Sequence, residues 1–567
     1  MNKIEEANED ELEKIFNEAD EHSVGESIRA AWESNRQSTQ QKFFKDQQIN
    51  KNGCRNNRWS LVTIRIALAV FIRSPAAYEA LKSFDILQLP SRSTLQAYTG
   101  AFQHEAGAAT ESISKQVERY RIFQQSCEAE NKRKPLSTGI LVFDEVKVVS
   151  SLMWNSRSHR IIGLAMTEET QASLHDVFQL FDKDHRTKQT NYILQFLWRD
   201  LTSSFDIVGP FYTSNETMQA KFICSCVFQT LKLFKVHDLR TCLLVCDGAA
   251  PNLAALKLTH GFQGMYGLSD GPDPYAVRPW FVNPHDPLNR IYWLICPSHQ
   301  LKNMINALFS SQEGGTRTFT AADGTTFGWK AILDLYSREC QRRDQGHARM
   351  IPKLREVHVL RDAWTKLNVL PAKIMQQELV MSELHHYLTS DPAPDDVASV
   401  KYTLQYLEAC NKIFEKGLLS HDKICDVDSK VLHSISTGFS FFEKWHGDLS
   451  REGGLETLDP RFLSWQTFDL LRICVYGFSS FVQTFLEEFP DYFISPVRLS
   501  GSAVETLFSQ LKHTAGGKLS SVNYVTARAA HLIKHSVAYH HSSVNYRDVP
   551  LHLSDTVLQK KKYKHKQ

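Results

Sequence analysis

The stretch GILVFDEVKV, residues 139–148, decides the fold of this chain. Its first five residues are all apolar, and Asp144 places a carboxylate directly after them. A short run that is apolar throughout, and does not alternate, is typical of a strand buried on both faces. The stretch therefore predicts a central sheet covered by helices, with an acidic side chain where a strand ends.

Further apolar runs are predicted to add strands to this sheet. They are residues 160–166, 205–212, 241–248 and 291–296. The run at 241–248 also contains a carboxylate at its end, that of Asp247. A helix is predicted at residues 218–234, between two of the strands. Strands and helices interspersed in this way indicate an α/β fold.

Residues 58–100 are predicted to form a compact helical unit. Within it, LPSRSTL at residues 89–95 has the composition of a turn followed by a helix that Ser91 or Ser93 caps. Two interpretations remain open, a small helical packing domain and a helix-turn-helix whose last helix enters the major groove of DNA. In the second interpretation, the residues that contact DNA are Arg92, Ser93 and Thr94.

From about residue 320 to residue 490 the chain is mostly helical in pattern. A last helix starts near Ser500, and apolar residues at helical spacing surround its Glu505. Because 258 positions separate Asp247 from Glu505, more than one such fold needs, a helical domain is predicted to be inserted between them. Several tryptophans are predicted to be core residues: Trp293, Trp329, Trp364, Trp445 and Trp465.

Asp144, Asp247 and Glu505 are the candidate site residues. Taken singly, the aspartates are typical of turns and the glutamate of a helix surface. Two adjacent parallel strands would nevertheless bring the aspartates together, and clustered acids repel each other unless a cation neutralises them. Carboxylate oxygens suit Mg²⁺ or Mn²⁺. A pair of such ions can clamp the attacking and leaving oxygens of a phosphoryl transfer.

The charge of the chain neither demands nor excludes nucleic acid, because 65 basic and 63 acidic residues give a net charge of +2. Basic clusters at residues 132–135 and 560–566 are either solvated segments, nuclear import signals or phosphate contacts. The longest apolar stretch, residues 61–72, is too short to span a bilayer. The acidic N-terminus lacks a signal-peptide pattern. A secreted or membrane protein is therefore not expected. A nuclear location is predicted, with the basic clusters as the candidate import signals.

Five motifs in this order resemble those of the P-element transposase family, including its THAP-containing relatives. The resemblance covers about residues 58–535. The motifs are LPSRSTL (89–95), FDEVKV (143–148), VCDGA (245–249) with Asn252, CPSH (296–299) and LSGSAVETLFS (499–509). They resemble, in turn, the helix-turn-helix of the family, its two catalytic strands, a Cys/Asp-x-x-His signature and the helix of the catalytic glutamate.

The resemblance implies an RNase H-like catalytic domain with a mixed sheet. Its catalytic triad would be Asp144, Asp247 and Glu505, which would also bind Mg²⁺ or Mn²⁺. It implies cut-and-paste transposition, in which the transposon ends in double-stranded DNA are cut and the freed 3′-hydroxyls attack target DNA. It also implies a homo-oligomer, a dimer or a tetramer, because two ends must be joined. The helical insertion would match the GTP-binding domain of the family, where GTP is a structural cofactor.

The patterns and the resemblance together predict seven segments along the chain. They are a polar arm (1–55), a helix-turn-helix-like domain (56–100), a helical linker or short coiled coil (101–135), the first part of the RNase H-like catalytic domain (136–310), a mainly helical insertion domain (311–492), the second part of the catalytic domain (493–545) and a basic tail (546–567). The coiled-coil alternative rests on a single apolar face that includes Ile113, Val117 and Tyr120.

Departures from the family pattern bear on function. No THAP zinc finger can form, because Cys54 is the only cysteine before residue 100, so recognition of the ends falls to the helix-turn-helix or to another polypeptide. The family often has aspartates where this chain has Cys296 and Ser502, near the guanine nucleotide, which argues against GTP binding. Lys302 matches a family lysine directed toward the nucleotide, with a surface lysine as the alternative. Cys296 and His299 are predicted to have a structural role, with zinc binding as the alternative.

Three functions remain as hypotheses. The favoured one is an active DNA transposase, because all three acids are retained in order. The second is a domesticated or truncated relative that binds DNA without cutting it, suggested by the missing zinc finger and the two replaced acids. The third is a protein-binding scaffold or an actin-like ATPase, in which Asp144 would hold a magnesium nucleotide. Against the third, no glycine-rich phosphate turn follows Asp144.

Overall fold

The computed structural model describes residues 39–51, 57–84, 86–95, 106–108, 110–129, 132–155, 160–165, 189–259, 278–390, 394–453 and 458–538. The chain divides into two compact units. Unit 1 comprises Met1–Glu105, Val149–Gly163 and Ser509–Val549, and unit 2 comprises Ala106–Val148, Leu164–Phe508 and Pro550–Gln567. In the described part, no helix has both the length and the apolar character needed to cross a membrane. The predicted basic tail, most of the polar arm and Cys54 lie outside the described residues.

The strands of the described part are β1 (Thr138–Lys147), β2 (Met153–Asn155), β3 (Arg160–Ile162), β4 (Tyr192–Asp200), β5 (Asp206–Ser214), β6 (Arg240–Cys246), β7 (Trp280–Asn283) and β8 (Asp286–Ile295). The first helices are α1 (Thr39–Ile49), α2 (Leu61–Arg73), α3 (Pro75–Ser83), α4 (Thr110–Ala129), α5 (Ala220–Val236), α6 (Ala250–Thr259), α7 (Pro297–Phe309) and α8 (Lys330–Asp344). The later helices are α9 (Glu356–Val359), α10 (Val369–Met375), α11 (Glu378–Thr389), α12 (Val397–Ile413), α13 (Lys430–Gly453), α14 (Leu458–Arg461), α15 (Trp465–Glu488), α16 (Ser502–Thr514) and α17 (Ser521–Ala538).

The central sheet of unit 2 has six strands in the order β5-β4-β1-β6-β8-β7. Strand β1 runs parallel to β6, and β6 runs parallel to β8. The remaining pairs, β1 with β4, β4 with β5 and β7 with β8, are antiparallel. The predicted α/β, RNase H-like fold with a mixed sheet is confirmed.

The second strand of the sheet differs from the prediction. The run at 160–166 was expected there, but β3 pairs only with β2, in a separate two-stranded sheet of unit 1. Strand β4 occupies the place beside β1. The sequence does not predict this strand, because Gln195 and Arg199 interrupt its apolar run. Inside the sheet, the amide of Gln195 donates to the Gly209 and Pro210 carbonyls, and Arg199 pairs with Asp206 at 2.9 Å.

The sheet is buried because helices pack on both of its faces. Helix α4 packs on β5, α5 on β5 and β6, and α15 on β8. Phe143 of β1 contacts the rings of Phe196 and Trp293, with centroids 5.2 and 6.2 Å away. Helix α15 approaches β8 so closely that a Cβ atom on Gly477 would lie 1.9 Å from the carbonyl oxygen of Trp293. The apolar face of α4 that suggests a coiled coil is buried within this unit.

The chain between β8 and α16 is helical in the described part, as its pattern predicts. Trp445 of α13 centres an aromatic cluster, and its indole N–H donates to the Thr320 carbonyl at 2.8 Å. The rings of Phe319, Phe327 and Phe462 lie 4.5–5.2 Å from it. The prediction of five core tryptophans is wrong at two positions. Trp364, beside a 3₁₀ turn, is 80% exposed, and Trp465, the first residue of α15, is 59% exposed.

Unit 1 joins the N-terminal helices to a segment from the C-terminal part of the chain. Helix α17 packs against α2, and α2 packs against α1 and α3. The Tyr78 hydroxyl donates to the Pro90 carbonyl at 2.7 Å, and Ser91 caps the helical turn that begins at residue 92, as predicted. This division differs from the predicted segments, because Ser509–Val549 groups with the N-terminal helices and not with the sheet.

Candidate active site

The parallel pairing of β1 with β6 places two carboxylates at the same edge of the sheet. Val142 of β1 lies opposite Val245 of β6. Asp144 and Asp247 each follow two residues after this pair, so they lie at the same level where the pairing of β1 with β6 ends. The strand itself does not end at Asp144, as the sequence suggests, because β1 continues to Lys147 alongside β4. The sequence predicts that the two aspartates meet only if their strands are adjacent in the sheet. In the structure, β1 and β6 are adjacent.

Glu505 comes from the first turn of α16. The helix faces the core through Val504, Leu507 and Phe508, all of which are buried. Between these residues, the Glu505 side chain remains 43% exposed. The apolar spacing therefore fixes which way the helix faces and leaves the carboxylate at the border of the core.

The charges of the three candidate acids affect one another. The pKa of Asp144 is raised to about 7, first by burial and then by the negative charge of Asp247, with smaller contributions from Glu505 and Glu145. A hydrogen bond from the Glu145 backbone N–H to the Asp144 Oδ1, 2.8 Å long, opposes this rise. The structure thus brings Asp247 and Glu505 within electrostatic reach of Asp144.

Asp247 is oriented by its own neighbours. Its Oδ1 accepts hydrogen bonds from the Ala249 backbone N–H at 3.0 Å and from the Asn252 side-chain amide at 2.6 Å. Gly248 lies directly under α15, where a Cβ atom would come within 2.8 Å of Leu470. The VCDGA motif with Asn252 is therefore one local structure, in which the amide and the backbone hold one carboxylate oxygen.

Glu145 is a further carboxylate close to the candidate acids. Its Oε1 accepts a hydrogen bond from the Met218 backbone N–H at 3.0 Å, just before α5 begins. Burial raises the pKa of Glu145, and Asp247 raises it further. Because its carboxylate is bonded to the backbone, Glu145 serves to hold the start of α5.

Cys296 and His299 connect the end of β8 to α16. The buried Sγ of Cys296 accepts a hydrogen bond from the Gly501 backbone N–H at 3.2 Å, and burial raises the pKa of this thiol to about 11. The Nε2 of His299 lies 3.4 Å from the Oε1 of Glu505. Sequence reasoning missed this second contact. Its only signal was that His299 opens the helix after a strand parallel to that of Asp247.

The residues of this edge fit a divalent cation by their chemistry. Among the described residues, no three His, Cys, Asp or Glu side chains converge closely enough to hold an ion as they stand. The carboxylate oxygens of the three acids are nevertheless the donors that Mg²⁺ and Mn²⁺ prefer. Burial and then the neighbouring carboxylates raise the pKa of Asp144, and a bound cation would favour its charged form.

The candidate nucleotide contact, Lys302, lies on α7 one turn after His299, half-buried. Burial and Lys302 lower the pKa of His299, against the opposing charges of Glu505 and Asp247. At the two positions where the family often has aspartate, this chain offers neutral groups. One is the Cys296 thiol, and the other is the Ser502 hydroxyl, which lies 2.6 Å from the Ser500 hydroxyl.

The candidate DNA contacts lie in unit 1 and do not form part of this edge of the sheet. Arg92 pairs with Glu79 at 3.6 Å, with both side chains exposed. The hydroxyls of Ser93 and Thr94 each lie 2.8 Å from that of Ser91, within the cap of the helical turn.

Comparison with known proteins bears on this geometry. No curated protein matches the chain. Residues 120–260, which include Asp144 and Asp247, match the family model of the TNP-like RNase H N-terminal domain. The structure is similar to that of the Drosophila P element transposase strand transfer complex, with a TM-score of 0.64 and 15% identity, over 91% of this chain and 100% of that chain. The domain match and the shared fold together confirm the predicted resemblance of this chain to the P-element transposase family.

Proposed function

We propose that this chain is a DNA transposase of the P-element type, which cuts transposon ends and joins them to target DNA by metal-dependent phosphoryl transfer. The observation that carries the proposal is the register of β1 and β6, which sets Asp144 and Asp247 side by side, with the charge of Glu505 close enough to act on Asp144. The match of residues 120–260 to a transposase-type RNase H domain supports the reaction class.

The three acids would hold Mg²⁺ or Mn²⁺. When bound, such ions lower the pKa of a water molecule and neutralise charge on phosphate oxygens. The protein prepares the ligands for this role. Asn252 fixes one oxygen of Asp247, and the Glu145 backbone N–H fixes one oxygen of Asp144. The buried face of α16 fixes the backbone at Glu505.

Double-stranded DNA is the proposed partner, both as transposon ends and as target. The solved relative is described as a strand transfer complex, which supports DNA as its substrate class. Two ends must be held together for joining, so a homo-oligomer, a dimer or a tetramer, is proposed. DNA of this kind lies in the nucleus, and the basic segments at 132–135 and 560–566 would serve import or bind phosphate.

GTP does not fit the residues at two of the family positions. Cys296 and Ser502 offer a buried thiol and a hydrogen-bonded hydroxyl where carboxylates would be needed. Lys302 on α7 keeps the positive charge of the matching family lysine. The proposed reaction therefore uses no step that depends on GTP. Titration of the purified chain with GTP tests whether the nucleotide binds at all.

A cleavage assay tests the proposal. Labelled DNA that carries candidate element ends is incubated with Mn²⁺ and with wild type, Asp144→Asn, Asp247→Asn or Glu505→Gln. We expect product from the wild type and its loss from each variant, because each removes one charged ligand. The matched control is Glu145→Gln, which changes an adjacent carboxylate that bonds the backbone of Met218. We expect this control to keep activity.

The outcomes separate the functions. Cleavage that persists in all three variants would contradict the proposed triad. Salt-dependent DNA binding without cleavage by any protein, with several flanking repeats tried, would support the alternative of a domesticated or truncated relative that binds DNA without catalysis. The replacement of two family acids and the absence of a converged three-ligand cluster in the described part are the observations that favour this alternative.

A further inference from the structure

We propose that His299 is a positioning residue that holds the carboxylate of Glu505 toward the divalent-ion site. The inference rests on the proposed function, because it assigns a role within the same site. Its basis is the 3.4 Å contact between the His299 Nε2 and the Glu505 Oε1. Among the described residues, no other side chain pairs with this carboxylate.

The contact is one of two that tie the start of α7 to the start of α16. Cys296 accepts a hydrogen bond from the Gly501 N–H at 3.2 Å, and His299 contacts Glu505 one helical turn further along both helices. Cys296 is itself anchored to the sheet, since its backbone N–H donates to the carbonyl of Cys246. Cys246 is the residue directly before Asp247. His299 is thereby held in place relative to Asp247.

Glu505 needs such a partner because its side chain has freedom to move. It is 43% exposed, whereas the His299 side chain is only 21% exposed. A glutamate on a helix surface samples several rotamers, and fixing one of them costs conformational entropy. A contact with a largely buried ring reduces that cost before an ion binds. Second-sphere partners of this kind orient ligating carboxylates in metal sites.

The second ring nitrogen distinguishes positioning from direct ligation. The Nδ1 of His299 is buried and finds no hydrogen-bond partner among the residues that the structure describes. A neutral imidazole has one N–H, and an N–H buried without an acceptor is costly. A proton on Nε2 would instead face the Glu505 Oε1, 3.4 Å away. A histidine that ligates a metal through Nε2 would carry its proton on Nδ1 and donate it to an acceptor, and none is present among the described residues.

The test is calorimetric titration of the full chain with Mn²⁺ in the absence of DNA. His299→Leu keeps the volume of the ring but removes the donor, and we expect it to weaken Mn²⁺ affinity by about 10–100-fold. His299→Gln places an amide N–H near the Nε2 position and is expected to restore the affinity. His299→Asn, whose amide ends short of that position, is expected not to restore it.

A double substitution tests whether His299 acts through Glu505. In a Glu505→Gln background, we expect His299→Leu to weaken Mn²⁺ affinity no further, because the two residues act as one unit. The matched control is His358→Leu, which removes a buried ring whose Nδ1 accepts from the Arg355 backbone N–H. We expect it to leave Mn²⁺ affinity unchanged.

Several results would overturn the proposal. Unchanged affinity in His299→Leu, equal affinities of the Gln and Asn variants, or additive losses in the double variant would each remove the positioning role while leaving the metal site intact. Should His299→Leu fold poorly, the contrast between Gln and Asn decides the question alone. Absence of Mn²⁺ binding by the wild type, or binding that survives in Asp144→Asn, would instead overturn the proposed metal site and this role with it.

Discussion

The carboxyl group of Asp144 holds its proton more tightly than an exposed aspartate does. Its pKa rises from 3.8 to about 7, because the group is part-buried and because other carboxylates lie near it. In the unfolded chain these causes disappear. The folded, metal-free protein therefore binds an additional proton between these two pKa values. Protonated Asp144 therefore contributes to the stability of the folded protein. This contribution is fully present below about pH 4 and is lost as the pH rises through 7.

Asp144→Asn is expected to remove this pH dependence. At pH 8, with EDTA present, we expect the variant to be more stable than the wild type by about 1–4 kcal/mol, since each pKa unit corresponds to about 1.4 kcal/mol and the group is not fully desolvated. Urea denaturation at pH 5 and pH 8 measures the difference. The exposed Asp428 supplies the control, and Asp428→Asn should behave like the wild type. An equal pH dependence in wild type and Asp144→Asn would contradict this prediction.

The elements of the sheet could be predicted where burial alone decides them. The apolar runs that became β1, β6 and β8 are buried on both faces, so their pattern is visible in the sequence. Strand β4 could not be predicted, because its buried Gln195 and Arg199 look like surface residues until β5 provides their partners. The prediction for the run at 160–166 failed for a different reason, since its short strand, Arg160–Ile162, pairs with β2 and not with the central sheet.

The candidate site was predictable in part, for a related reason. Asp144 and Asp247 follow buried runs, so their place directly after two buried stretches can be deduced from the sequence, whereas the continuation of β1 to Lys147 beyond Asp144 could not. Glu505 could be placed on a helix, but its distance from the two aspartates could not be predicted. The contact of His299 with Glu505 depends on how α7 and α16 start beside each other, which no spacing encodes. Trp364 and Trp465 show the same limit, because residue type alone does not determine exposure.

The close packing of α15 on β8 requires a glycine at position 477, which has no side chain. A Cβ atom at Gly477 would lie 1.9 Å from the Trp293 carbonyl oxygen, which is backbone and cannot rotate away. We expect Gly477→Ala to lower the free energy of unfolding by about 1–3 kcal/mol. Gly447 of α13 is the control, because a Cβ atom there has no neighbour within 4 Å. Gly447→Ala should raise stability by about 0.5–1 kcal/mol through helix propensity. Thermal unfolding of both variants measures the difference. Equal changes in stability in the two variants would contradict this prediction.

At the scale of the whole molecule, the chain crosses between its two units several times. Unit 1 is assembled from an N-terminal part, a short segment after β1 and the C-terminal helices. Unit 2 contains the sheet and the long helical region. A change in the core of unit 1 should therefore affect helices far apart in sequence but close in that unit, such as α2 and α17.

Leu532→Ala tests this division. Leu532 is a buried residue of α17, and its truncation is expected to cost about 2–5 kcal/mol. We expect amide hydrogen exchange, measured by mass spectrometry, to rise in α2 as well as in α17 and to change little in β1 and β6. A uniform rise over both units, or protection of α2 that stays unchanged, would show that the units do not open separately.

The wide separation of the three candidate acids along the chain has a consequence for biosynthesis. A ribosome that has just completed Asp247 must still add 258 residues to reach Glu505. At about 5–20 residues per second, this takes roughly 10–50 s. During that time the nascent chain carries two of the three carboxylates. Any product that ends within the helical region would fold its first strands yet lack the third acid, so premature termination would yield a protein with an incomplete site.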